Sequence, residues 1–169
     1  FWGWSVLRTG LAVMPSSVIS AVLSAPIGSV VDRFGHRRVV ATGGLFGALG
    51  MGGFALFMRT EPRFWVGLFL PSVLLGLSMA VLFAMIVGAA MRDVPPVRFG
   101  MAGAGRTTAF QMAQALGVAV GVAVIGRPAT PGAAMSAYRA NWLISAGLFA
   151  LLALLFAVAY PARAGRSSG

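Results

Sequence analysis

Three carboxylates and one histidine are all that the 169 residues offer for acid–base or metal chemistry: Asp32, Glu61, Asp93 and His36. There is no cysteine, which excludes disulfides, thiol nucleophiles and Cys-ligated zinc. One histidine and three scattered acids leave almost no material for a metal site. No serine has a histidine and an acid placed to form a catalytic triad, because His36 stands alone in a predicted loop. Gly103-Ala104-Gly105-Arg106 lacks the Gly-Lys-Ser/Thr ending of a phosphate-binding loop. The residues therefore predict neither an enzyme nor a cofactor.

Charge is instead gathered in one place. Gly28-Ser29-Val30-Val31-Asp32-Arg33-Phe34-Gly35-His36-Arg37-Arg38 holds an acid and three arginines between two apolar runs. Asp32 closes the first run, where a helix C-terminus would carry partial negative charge and disfavour a carboxylate. Compensation can come from Arg33, Arg37 or Arg38, from the N-terminus of a neighbouring helix, or from an arginine on another loop. Gly28 lies four residues earlier on the same helical face, where a missing side chain lets another backbone approach. Gly35 suits a tight reversal with positive φ. On charge alone, the plain reading is a short loop held on the cytoplasmic side by its arginines.

The elements that position this hairpin follow from composition. Hydrophobic residues make up 59% of the chain and charged residues 9%, against about 25% charged in soluble domains. The 13 basic residues are all arginine and the acids number three, giving +10. The arginines stand singly or in small groups between apolar runs, without the basic face that nucleic-acid binding requires. Five charge-free runs reach the roughly 20 residues needed to span a bilayer: 9–31, 39–58, 64–91, 107–126 and 140–162. A helix satisfies its own backbone in lipid, whereas an open strand does not. An arginine at a helix centre costs about 2.5–3.5 kcal/mol, so charge is expelled from the spans. The predicted fold is an all-α membrane protein of five transmembrane helices, with the lipid bilayer as its first partner.

Five spans put the two ends on opposite sides. One side receives Arg33, Arg37, Arg38, Arg92, Arg98, Arg106, Arg163 and Arg166; the other receives Arg8, Arg59, Arg63, Arg127 and Arg139. The richer side is predicted to be cytoplasmic, with the start outside and the C-terminus inside. Pro15 and Pro26 interrupt the first span and Pro71 the third, each removing a backbone donor. Gly43 with Gly47, and Gly117 with Gly121, are small-residue pairs that permit close helix contact. Phe1-Trp2-Gly3-Trp4 is neither a start methionine nor a signal-peptide n-region, so the chain reads as an internal piece of a longer protein.

The hairpin pattern, Gly28-x-x-x-Asp32-Arg33-x-Gly35-x-Arg37-Arg38, resembles the signature cytoplasmic loop of the major facilitator superfamily, with His36 where the family often has Arg or Lys. The resemblance implies that Gly28, Asp32, Arg33, Gly35, Arg37 and Arg38 form a conformational gate in an alternating-access cycle. Arg98-Phe99-Gly100-Met101-Ala102, Gln111 and Ala115-Leu116-Gly117-Val118-Ala119 resemble the penultimate helix of the 14-helix drug:proton antiporter branch. Thr107, Phe110 and Ala113-Gln114 depart from that helix's Asn, Arg and Gly pair. Gln111 and Gln114 share a face and either line a cavity or bond across helices. Phe54, Phe57, Phe69 and Phe83 suit apolar substrates and equally suit lipid.

The resemblance implies residues 1–169 are helices 10 to 14 of a proton-coupled exporter of small hydrophobic compounds or drugs in the plasma membrane. Its partners would be the substrate, protons and N-terminal helices that carry the proton-binding acids. A different class is a non-transporting helix-bundle subunit or assembly partner. Five spans do not form the two symmetric halves that alternating access uses.

Overall fold

The computed structural model describes residues 5–59, 64–91 and 94–159; at Ala25, Gly28, Val31, Asp32, Phe34, His36, 87–91, Pro96 and Ala159 it describes the backbone alone. The helices are α1 (Val6–Phe34), α2 (His36–Phe57), α3 (Leu70–Met91), α4 (Phe99–Ile125) and α5 (Pro131–Ala159). A wide π-type turn, Phe64–Phe69, runs directly into α3, and a short 3-10 turn, Pro96–Arg98, leads into α4. No strand occurs among the described residues. All five helices are long and apolar enough to cross a membrane, so the fold is an all-α membrane bundle. The 22 residues of α2 extend about 33 Å at 1.5 Å per residue, close to the roughly 30 Å of a hydrocarbon core.

Local sequence explains the element ends. Thr130 caps α5, its Oγ1 accepting from the Ala133 amide at 3.2 Å, and Pro131 takes the first helical position, where no amide partner is needed. Pro71 removes the amide that would bond the Gly67 carbonyl, and the backbone just before it is widened. By contrast, α1 runs unbroken through Pro15 and Pro26.

Two predicted loops turn out to be helix. The fourth run was bounded by Arg106, yet α4 starts two turns earlier at Phe99. The fifth was bounded by Arg139, yet α5 starts at Pro131. His36 likewise opens α2 and is not a loop residue. A long arginine near a helix end can carry its charge to the interface or onto a ring, so a charge limits the lipid-buried part of a helix and not the helix itself. Residues 160–162 of the fifth run lie outside the described residues, as do Arg63, Arg92, Arg163 and Arg166.

Helix α3 is the centre of the bundle, packing against α1 on one side and α2 on the other. Helix α2 packs equally closely on α5, while α1 and α2 touch little although only Gly35 joins them. Helix α4 lies at the edge against α3 and α5, with no buried residue. Ile27, Val39 and Ala80 form a buried core cluster, with Leu23, Val81, Ala84 and Met85 packed around them.

Lipid is as apolar as leucine, so helices hold together here through close packing. A methyl group at Gly76 in α3 would come within 2.6 Å of the Ser16 carbonyl oxygen in α1. The Gly43 and Gly47 pair does not make one seam. A methyl at Gly43 would meet Val81 of α3 at 2.7 Å, and one at Gly47 would meet the Phe149 ring of α5 at 2.5 Å. Gly117 faces open space and Gly121 has only Asn141 within reach.

A direct check is Gly76→Ala in the intact, detergent-solubilised protein. Forcing a methyl against the α1 backbone is expected to destabilise by about 1–3 kcal/mol. Gly52→Ala, where no atom lies within 4 Å, is the control and is expected to leave thermal stability unchanged or slightly raised, since it reduces unfolded-state freedom. Equal melting temperatures for both variants would show that the α1–α3 contact is looser than described.

Candidate functional site

The hairpin is tighter than a loop. Helix α1 ends at Phe34, α2 begins at His36, and Gly35 alone separates them with φ 82° and ψ 147°. That φ is in the left-handed half of backbone space, which glycine enters without a Cβ penalty. The reversal closes with the Val39 amide bonded to the Gly35 carbonyl at 3.3 Å. Directly beneath it in the bundle, Ile27 of α1 and Val39 of α2 are both buried against Ala80. The hairpin thus rests on the core, and movement of it would disturb that core.

The hairpin arginines have different surroundings. Arg33, in the last turn of α1, and Arg38 are exposed. Arg37 is half-buried and donates from a terminal guanidinium nitrogen to the Ala157 carbonyl oxygen in the final turn of α5. Helix ends leave their last four carbonyls without intrahelical donors, and a cation is favoured there by the helix dipole. Asp32 stands in the last turn of α1, and its side chain lies outside the described residues, as does the packing around Gly28. The described contact ties the hairpin to α5, a partner that sequence reasoning did not consider. No local pattern signals it, because the two residues are 120 apart in the chain.

The second candidate region is α4. Gln111 and Gln114 are both exposed on it. Arg106 lies on the same helix, half-buried, with its guanidinium carbon 5.7 Å from the centre of the Phe83 ring of α3. Phe110, one turn further along α4, meets that ring edge-on at 5.7 Å. The Arg106 Nε is buried with no hydrogen-bond partner among the described residues. A guanidinium over an aromatic face gains electrostatic attraction that grows as water is excluded. This explains how α4 carries a charge inside its length. Among the described residues no cluster of His, Cys, Asp and Glu is placed to hold a metal.

A bundle of five apolar helices, with its described arginines at a one-residue hairpin, near helix ends and over one aromatic ring, defines a multi-pass membrane protein. Its sequence matches the Major Facilitator Superfamily over residues 2–169, and the chain belongs to that family, a family of transporters. A membrane setting comes with that membership. A relative from Cronobacter sakazakii (strain ATCC BAA-894), named "Putative multidrug resistance protein MdtD", is 30% identical over 163 residues. The match covers 92% of this chain and 34% of the relative, so the chain spans about a third of that protein's length. No solved structure matches the chain.

The Arg106 contact has a simple test. Phe83→Leu keeps apolar bulk and removes the ring face, and is expected to lower stability by about 0.5–2 kcal/mol in the intact protein. Phe83→Trp, which keeps a ring face, is expected to retain most of it. Thermal unfolding in detergent reads both; a harmless Phe83→Leu would remove the cation–π explanation for Arg106.

Proposed function

We propose that this chain supplies helices 10 to 14 of a 14-helix proton-coupled exporter of small hydrophobic compounds. In this reading the Gly28–Arg38 hairpin is a latch on the cytoplasmic face, and Gly28, Asp32, Arg33, Gly35, Arg37 and Arg38 are its working residues. The start of the chain faces outside and the C-terminus faces the cytoplasm. Gln111 and Gln114 line the substrate pathway, on a helix whose uncovered face awaits the N-terminal helices. The proton-binding acids are carried by those helices.

The observation that carries the reading is the one-residue turn at Gly35 seated on the buried core, with Arg37 reaching from it to the end of α5. A hairpin so connected can exist in two packings more readily than it can deform gradually. Family membership supports transport. The relative's name, with its reference to multidrug resistance, supports a drug-like cargo. The excess of arginine on the hairpin side supports its cytoplasmic placement. A substrate or proton then drives the cycle only through its different affinity for the two packings.

Neutralising the acid is the test. In the intact protein Asp32→Asn is expected to lower drug efflux about tenfold or more, equivalent to roughly 1.4 kcal/mol or more in the balance of the two states. Membrane insertion and expression are expected to stay normal, since the substitution removes charge from a helix end. Undiminished efflux with normal expression would rule out a gating role for Asp32.

A further inference from the structure

Helices α2 and α5 run antiparallel, and their contacts form a continuous ladder. At one end Arg37, the second residue of α2, donates to the Ala157 carbonyl oxygen, third from the end of α5. Next, a methyl at Gly44 would lie 3.0 Å from the Phe149 carbonyl oxygen and 2.9 Å from the Ala153 side chain. Gly47 then receives the Phe149 ring, and Phe54 and Trp142 bring their rings to 5.7 Å. At the far end Arg139 of α5 reaches the Met58 carbonyl oxygen, 3.5 Å away, at the C-cap of α2.

The two end contacts are the same device used twice in opposite directions. Each helix receives, on carbonyls left without intrahelical donors, an arginine from the other helix. Charge and dipole agree in sign at both ends, because a helix C-terminus attracts a cation. The 21 steps from Arg37 to Met58 span about 31 Å, close to the thickness of a hydrocarbon core. The arginines therefore sit one at each membrane face, where a guanidinium is tolerated and a helix ends. A slide of α5 along α2 by one turn, about 5.4 Å, would break both end contacts at once and drive Phe149 off the Gly47 notch.

We propose that Arg37 and Arg139 are reciprocal caps that fix the register of α2 against α5 and join the two helices into one rigid body. They are positioning residues, and the assignment stands whether or not the hairpin is a latch. Because α2 begins at the hairpin, any movement of Gly35 would be carried through this body to the opposite membrane face.

This chain contributes no cysteine, so in an intact protein cleared of any cysteine elsewhere, pairs introduced here report register cleanly. Phe54→Cys with Trp142→Cys, at positions whose rings meet at 5.7 Å, bridged by a short bifunctional thiol reagent, reports the native register; Phe54→Cys with Ala146→Cys reports a one-turn slip. With both arginines present the native pair is expected to cross-link far more readily than the slipped pair. In Arg37→Gln with Arg139→Gln that preference is expected to fall several-fold, and Lys at both positions is expected to keep it. If the double Gln variant fails to reach the membrane, Arg139→Gln alone, altering an exposed side chain, is read in the same way and is expected to shift the ratio in the same direction. An unchanged ratio in a correctly inserted Gln variant would overturn the proposal. So would a Lys pair that slips as far as the Gln pair, since the charge–carbonyl basis would then be wrong.

Discussion

A guanidinium is expensive in hydrocarbon, and a helix end leaves carbonyls without donors; arginine at the membrane face resolves both. The rest of the bundle follows from that pairing. Charge is expelled from the lipid-buried part of each helix, and it collects where helices stop. There it meets carbonyls that the helix itself cannot satisfy. Arg37 and Arg139 show the two sides of this exchange on a single helix pair. Arg106 shows what happens when a charge sits inside a helix without a carbonyl to meet: its guanidinium lies over the Phe83 ring instead.

Close packing supplies the rest of the cohesion. With no hydrophobic drive between helices in lipid, glycine notches set which helices touch. Gly76 fits α3 to α1, Gly43 fits α2 to α3, and Gly44 and Gly47 fit α2 to α5. Helix α4 has no such notch engaged among the described residues and is correspondingly peripheral. On the proposed function, that uncovered helix is where the N-terminal helices would dock and where Gln111 and Gln114 would meet the substrate path.

Much of the fold was legible in the sequence for a simple reason. Exclusion of charge from hydrocarbon is strong enough to override local propensity, so each long charge-free run lies in or overlaps a membrane-length helix. Helix starts were less legible. Arg106 and Arg139 ended their runs, but a helix continues past an arginine that can pack or snorkel, and the signal at α5 was the Thr130-Pro131 cap. Partners were the least legible. Gly43 and Gly47 lie one turn apart, about 40° round the helix, and that rotation is enough to point them at two different neighbours. The Arg37 contact to α5 left no trace in spacing, because helix periodicity orders residues on one helix and says nothing of which helix comes alongside. Gly35 was more legible: among the seven residues between two charge-free runs it suited a positive-φ reversal, and its φ is 82°, although the turn is one residue long and His36 already belongs to α2.

On the proposed function, the hairpin is a cytoplasmic latch that opens and closes in the transport cycle. The most direct test is the accessibility of an exposed position beside the latch residues, Ser29→Cys, in the intact protein carrying no other reactive cysteine. A membrane-impermeant thiol reagent is applied to inside-out and right-side-out vesicles, with and without a proton gradient. Labelling is expected from the cytoplasmic side alone, at a rate that changes several-fold when the gradient or a substrate is added. Labelling from the outer side, or a rate indifferent to both, would contradict the latch.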